Sequence, residues 1–414
     1  TGKFLEKKQA ALIADSTFEE IDAQWIDLNH DTHLDLVVAS GGNEFFGKSA
    51  WLNPRIYFNE GNGNLKKAVG AFKDIFLNAS VVLAFDYNGD SHIDLFFGGR
   101  SIPFGYGKKA DSYLFKNDGK GNFKNVTAEV APDLTSLGFV KDAKFIDTNG
   151  DKIQELVVAL EWDGIAVFDN KFKKSYLTTK KGWWNFVEPI DIDSDGDLDI
   201  LAGNLGLNSR LKASEKQPVK MYVNDFDDNQ RVEQILTYFV GNKEVIFADK
   251  REIERQLPYV KKKFLMSKDF STATLEDIFG DDKMRASMVY EANWFENSVL
   301  INDGKGNFTL KVLPNKMQFG PYYGAQMVNK NKTNSNLMFA GNFFDANIQM
   351  GIYDADFGGL YTIGTDLKVN KSTFRDLPIS GQVRKIRKIK IKGKDAFLLV
   401  RNNDKLIVLA QKAL

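Results

Sequence analysis

Short apolar runs alternate along the chain with polar loops of two recurring kinds. In the first kind an acidic nonapeptide falls directly into an apolar run. Residues 27–35 read DLNHDTHLD before LVVAS, residues 86–94 read DYNGDSHID before LFFGG, residues 147–155 read DTNGDKIQE before LVVAL, and residues 191–199 read DIDSDGDLD before ILAGN. The second kind is Gly-rich: YFNEGNGNL at 57–65, FKNDGKGNF at 115–123 and LINDGKGNF at 300–308. Glycine supplies the positive φ angles of tight turns, so these segments predict hairpins between apolar strands. One unit then holds four antiparallel strands, at 82–85 (before Asp86), 95–98, 112–116 and 123–127. Recurrence of such a unit about every forty to sixty residues predicts an all-β chain of propeller blades.

Counting the units gives seven blades. Blades one to four start at the acidic loops, and blade five includes Ser298–Asn302 and Phe308–Val312. Blade six has strands near 324–328 and 337–341. Its loop, NKNKTNSNL at 329–337, has no carboxylate and is expected to bind no ion. Blade seven has strands at 385–391, 396–401 and 406–410, and its loop is shortened to KGKD. It lacks a fourth strand, and Gly2-Lys3-Phe4-Leu5 matches the GNF start of one. The expected fold is therefore a single seven-bladed β-propeller over residues 1–414, closed by the N-terminal strand, which removes exposed sheet edges. Residues 249–285 interrupt the pattern with charges at helical spacing. Thr274 with Asp277 suits a helix cap and Gly280 a stop, so this stretch is expected to be a small helical insertion at the junction of blades four and five.

The nonapeptides also carry chemistry. Carboxylate or carboxamide oxygens recur at positions 1, 3, 5 and 9, the spacing a hard cation needs from a tight loop. Asp and Asn favour turns without any metal, but four copies in register favour ion binding over plain polar turns. Oxygen-only donors favour Ca²⁺ over zinc, and loop flexibility favours it over Mg²⁺. A further candidate, Asp225, Asp227, Asn229 and Glu233, has the same spacing but falls where a Gly-rich hairpin is expected. An ion site and a plain polar turn both fit it.

Together the nonapeptides and the NDGKGNF hairpins resemble the FG-GAP/VCBS repeat family, which includes the integrin α-subunit propellers. The segment 182–211, GWWNFVEPIDIDSDGDLDILAGNLGLNSRL, is similar to exported bacterial VCBS-repeat proteins. The resemblance implies Ca²⁺ on one propeller face. By position it assigns Asp27, Asn29, Asp31 and Asp35 to one site and Asp86, Asn88, Asp90 and Asp94 to the next. Asp147, Asn149, Asp151 and Glu155 form the third set, and Asp191, Asp193, Asp195 and Asp199 the fourth. Position 7, occupied by His33, His92, Ile153 and Asp197, is implied to ligate through its backbone carbonyl. Only the fourth loop has Gly at position 6, while the second and third have it at position 4.

Bulk composition narrows the function classes. The 43% hydrophobic content and 33 Phe suffice for a large core. Lys+Arg and Asp+Glu each total 55, so global charge points to no polyanionic partner. The basic runs, Lys261 to Lys263 and RKIRKIKIK at 384–392, read as solvated faces, and nucleic-acid binding is not expected. Without cysteine there are no disulfides, thiolate metal sites or Cys nucleophiles. No apolar run is long enough for a transmembrane segment. No HExxH, GxSxG or P-loop appears.

Aromatic residues gather in the connections expected on the face away from the acidic loops. They are Phe45, Phe46, Phe104, Tyr106, Trp294, Phe343 and Phe344, with Trp183 and Trp184 before the first strand of blade four. Such residues either wedge between blades or stack on a ligand. Two functions follow. One is a non-catalytic, exported Ca²⁺-binding module for a glycan or protein ligand, located extracellularly, on an outer-membrane surface or in a periplasm. The other is a carbohydrate-active propeller enzyme such as a Ca²⁺-dependent polysaccharide lyase. A convergent Lys/Arg/Tyr cluster in a central cleft would favour the second.

Overall fold

The computed structural model describes residues 6–364 and 375–410. Apolar residues form seven antiparallel sheets among the described residues, five of four strands and two of three. The first two follow the repeat as read from sequence. Glu20–Ile26, Asp35–Ser40, Arg55–Asn59 and Leu65–Lys67 form one, and Asn78–Phe85, Asp94–Ser101, Tyr113–Asn117 and Phe123–Asn125 the next. The third has Phe139–Ile146, the 14-residue strand Glu155–Phe168, and Lys174–Trp183. Its long strand pairs with one neighbour over residues 155–161 and with the other over 161–168. Trp162, at φ 66°, sits where the pairing changes over.

The fourth sheet corrects the expected blade count. Phe186–Ile190 and Asp199–Gly203 are completed by Ser298–Asn302 and Phe308–Val312, with Ala202 opposite Ser298 and Ile200 opposite Leu300. The two strands expected to begin a fifth blade are thus the outer half of the fourth. The excursion between them, residues 204–297, builds a sheet of its own from Val219–Asn224, Glu233–Val240, Lys243–Ile246 and Met288–Ala292. Five short helices from Lys250–Gln256 to Asp281–Ala286 lie within that excursion, rather than at a junction between blades. Thr274 and Asp277 form a reciprocal capping box, and Gly280 ends that helix at φ 90°. Ile253, Leu257, Val260, Ile278 and Phe279 pack there against Phe226 and Ile235 as a separate small core.

Two more sheets follow: Tyr322–Lys330, Asn334–Gly341, Gly359–Gly364 and Arg375–Asp376, then Val383–Ile391, Lys394–Arg401 and Ile407–Ala410. The strand expected at residues 2–5 lies outside the described residues. Where the acid-free loop was expected, Asn331 accepts backbone N–H groups from Thr333 and Asn334 in a tight turn.

Leaving the inserted sheet aside, the opening strands of the other six neighbour one another in chain order. Lys385 joins the last to the first through Asp22 at 2.5 Å. Apolar clusters fill the five intervals between successive sheets. Phe97 packs with Val37 between sheets one and two, Phe96 with Val158 between two and three, and Trp184 with Val157 between three and four. Leu201 packs with Phe339, and Met338 with Phe397, in the next two intervals. Ile21, Ser80, Lys141, Phe186, Ala325 and Ile386, one from each of the six opening strands, line a shared cavity of about 310 Å³. The arrangement is that of a propeller-like ring.

Candidate metal loops and the opposite face

Each acidic loop is a self-contained hydrogen-bonded frame. The ninth residue anchors it. Asp35, Asp94 and Asp199 are fully buried. Each accepts the N–H of loop position 2, from Leu28, Tyr87 and Ile192 at 3.0, 3.2 and 2.9 Å. Each also accepts the N–H of an Asn ending the third strand of its sheet, Asn59, Asn117 or Asn302, at 2.8–2.9 Å. Glu155 and Glu233 take the position-2 N–H of Thr148 and Phe226 in the same way. Burial, then neighbouring loop carboxylates, raise the Asp94 and Asp199 pKa values to about 6, against the pull of these N–H donors.

The first residue accepts from positions 5 and 6 in loop one (Asp27 from Asp31 and Thr32), loop two (Asp86 from Asp90 and Ser91) and loop five (Asp225 from Asn229 and Gln230). Asp147 takes the N–H groups of Gly150 and Lys152. All five loops share one backbone. Position 4 (His30, Gly89, Gly150, Ser194, Asp228) and position 6 (Thr32, Ser91, Lys152, Gly196, Gln230) have positive φ. The scatter of Gly positions in the sequence therefore does not change the loop geometry. The Asp225 loop, ambiguous in sequence, takes this same form at the tip of the inserted sheet.

Three loops gather carboxylate oxygens within 4.8 Å of one another: Asp86, Asp90 and Asp94; Asp191, Asp193 and Asp195; and Asp225, Asp227 and Glu233. In the last two, Asp191 Oδ1, Asp193 Oδ1 and Asp227 Oδ1 are buried without a hydrogen-bond partner. Orphaned carboxylate oxygens beside other carboxylates are a poor arrangement for a metal-free loop and a fitting one for a divalent cation. In loops one and three the position-3 amide instead bonds the position-5 acid, Asn29 to Asp31 and Asn149 to Asp151. Lysines offset part of the charge, with Lys116 on Asp90 at 3.1 Å and Lys330 on Asp191 at 2.6 Å.

Position 7 explains the Gly-rich hairpins. His33 lies over Gly61, His92 over Gly119 and Asp197 over Gly304, where an added Cβ would come within 3.1, 2.4 and 2.2 Å of them. These glycines also have positive φ. His30 and His92 meet at 2.9 Å, linking the first two loops. In the second and third hairpins the Asn that starts the turn reaches across sheets. Asn117 Nδ2 donates to Leu28 O in the first loop, and Asn302 Nδ2 donates to Thr148 O in the third. That shared contact is why the hairpin at 300–308 belongs to sheet four.

On the other face the expected aromatic residues divide. Trp184 is fully buried between sheets three and four and donates to Lys180 O. Trp183 packs on Trp162 and Phe295, and Tyr106 and Phe343 join the same core. Trp294 donates to Ser298 Oγ. Phe45 leans on Trp51, and Phe344 is at the surface edge. Phe46 and Phe104 are 70% and 62% exposed and touch edge to face at 5.5 Å, bridging the loops of the first two sheets.

A charged group at this end of the cavity was not found from sequence. Glu161 receives Arg100 at 2.6 and 3.4 Å and the Tyr106 hydroxyl at 2.6 Å, with Lys141 3.8 Å away. Trp162 Nε1 donates to Tyr106 at 2.8 Å. Burial alone would raise Glu161, but Arg100 and Lys141 overcome it and hold the pKa at about 2. Burial, then Arg100, press Lys141 down to about 8. Tyr323, pushed up to about 12 by burial, lies between Lys141 and Arg384, whose cationic centres stand 5.8 and 4.4 Å from its ring centre. The one sequence signal was RKIRKIKIK. Arg384 and Lys385 in this run are half-buried against the cavity, whereas Lys388 and Lys390 are the solvated positions.

With this geometry established, comparisons place the chain. Residues 27–97 and 86–158 match the family model of the FG-GAP-like repeat. No functionally curated protein matches the chain. Among solved structures, the Vibrio cholerae biofilm matrix protein Bap1 is similar at 9% identity and TM-score 0.39, over 98% of this chain and 81% of that one. BBS1N, crystallised with ARL6DN and soaked with lead, is similar at 8% identity and TM-score 0.35, over 95% and 92%. Neither bears on what this chain binds. Among the described residues no helix is long and apolar enough to cross a membrane.

Proposed function

We propose that the chain is a calcium-stabilised, six-bladed propeller with an inserted sheet, acting as a ligand-binding module. The observation that carries the calcium reading is the meeting of three carboxylates in each of three loops, with buried, unpartnered oxygens on Asp191, Asp193 and Asp227. Position 7 would add its backbone carbonyl, and the ion would relieve carboxylate repulsion and fix each loop. The Asp86, Asp191 and Asp225 loops are its main sites. The Asp27 and Asp147 loops bind once Asn29 and Asn149 turn their amide oxygens inward. Affinity is about 10⁻⁴ to 10⁻³ M, which suits an extracellular or periplasmic setting. Calorimetric titration of chelator-treated protein tests this. Saturable calcium binding is expected, and its absence rejects the reading.

The ligand is proposed to bind on the face away from these loops, where Phe46 and Phe104 are exposed. A second reading, a carbohydrate-active enzyme, is favoured by the Lys141, Arg384 and Tyr323 group, since a Lys near 8 lies in the range of a general base. Turnover of a uronic-acid polysaccharide to an unsaturated product, lost in Lys141→Met, decides between the two.

A further inference from the structure

The cavity's charged lining is paired along most of its wall but not at its end. Lys144 meets Asp142 at 3.2 Å, Lys385 meets Asp22, and Glu20 meets Arg55 at 3.0 Å. Glu188 faces Lys144 and Arg387. At the end away from the acidic loops, Lys141 and Arg384 line the cavity, and Lys141 shares its close carboxylate, Glu161, with Arg100. Arg100 and Tyr106 already occupy that carboxylate. Arg384 donates to Asn342 O and Gln382 Oε1 and makes no ion pair among the described residues. Asp345 acts on it from beyond ion-pair contact. Arg384 thus flanks Tyr323 without an ion pair among the described residues, and Lys141 flanks it with only a shared one.

We propose that Lys141 and Arg384 form a binding site for the oxyanion group of a small polar ligand, such as the carboxylate of an acidic sugar. This deepens the ligand-face reading above by naming the site and the chemistry it takes. Glu161 serves as a positioning residue that holds Arg100 and lies 3.8 Å from Lys141, which lines the cavity. A desolvated guanidinium and ammonium lining one cavity gain from an anion what neither gains from water. The volume of about 310 Å³ is at the small end of ligand sites, roughly 300–1,000 Å³, and admits a single ring rather than a polymer segment. Lys141 feels Arg100 and Arg384 as repulsive and Glu161 as attractive neighbours. An added anion raises its pKa, so binding takes up protons near pH 8 and weakens above it.

Calorimetry on the full chain with D-galacturonate, inorganic phosphate, inorganic sulfate and uncharged glucose in separate arms tests this. Binding of galacturonate, or of phosphate or sulfate alone, supports the site, and the comparison identifies which source of oxyanion it takes. Arg384→Gln and Lys141→Met are each expected to weaken binding at least about tenfold, with Arg384→Lys partly restoring it. No binding of any anion at about 10 mM overturns the proposal, as does binding of glucose as tight as of the anions, or variants that bind unchanged. Thermal melts with calcium keep the two proposals apart. The Arg384→Gln variant should retain the calcium response of the parent, and a parent without that response rejects the calcium reading while leaving the anion site standing.

Discussion

Asp90 and Asp94 sit four residues apart in one loop and have different tasks. Asp94 is buried and holds the N–H groups of Tyr87 and Asn117. Asp94→Ala leaves both donors unpaired and is expected to cost about 3 kcal/mol in urea unfolding without calcium, and more with it, since the loop also loses a carboxylate of its proposed site. Asp90 is half-exposed, so Asp90→Ala should change metal-free stability by less than about 1 kcal/mol but weaken the calcium response of this loop. Glu161 gives a pH signature. Its folded pKa of about 2 is below the unfolded value, so its stabilisation is present above about pH 4.5 and is lost as pH falls towards 2. Glu161→Gln should therefore flatten the stability curve in that window by on the order of 3 kcal/mol, as read from urea midpoints at pH 2 to 5. The 1-3-5-9 acids were legible because alternate loop residues point one way. Glu161 and Lys141 were not, because nothing in their own strands marks them and their meeting depends on how neighbouring sheets pack.

At the scale of elements, the strand positions followed from the apolar runs, and the tight turns from their glycines. What sequence concealed was partnership. The motif LINDGKGNF announces a hairpin, but nothing local says that residue 298 pairs with residue 202 across the excursion. The inter-sheet Asn contact carries that information. Asn117 and Asn302 each donate from Nδ2 to two carbonyls, one in the preceding sheet's loop, whereas Asn59 makes one longer contact at 3.3 Å within its own sheet. Asn117→Ala and Asn302→Ala should each cost about 2 kcal/mol, and Asn59→Ala less than about 1 kcal/mol, in chemical denaturation. Gly304→Ala should be as damaging, since its φ of 72° strains any side chain and Asp197 occupies the space. The long middle strand of sheet three changes partner within itself at Trp162.

At the scale of the whole molecule, the repeat unit was recovered from sequence, while the strand partnership of the inserted excursion was not. An excursion that carries its own acidic loop and its own sheet looks, by pattern, like one more blade. Its contacts separate it. Tyr290 donates to Gly107 O and Gln234 to Tyr106 O, so the inserted sheet lies over the ends of sheets two and three on the face away from the other acidic loops. The proposed metal loops of sheets one to four thus lie at the end of the sheets away from the inserted one. The central proposal is that calcium holds the loops. The most direct measurement is the thermal midpoint of chelator-treated protein against calcium concentration. At a hundred times Kd each independent site adds about 2.7 kcal/mol, so a rise of many degrees is predicted, reduced stepwise by Asp90→Ala, Asp193→Ala and Asp227→Ala. A midpoint unmoved by calcium from the micromolar to the ten-millimolar range would contradict it.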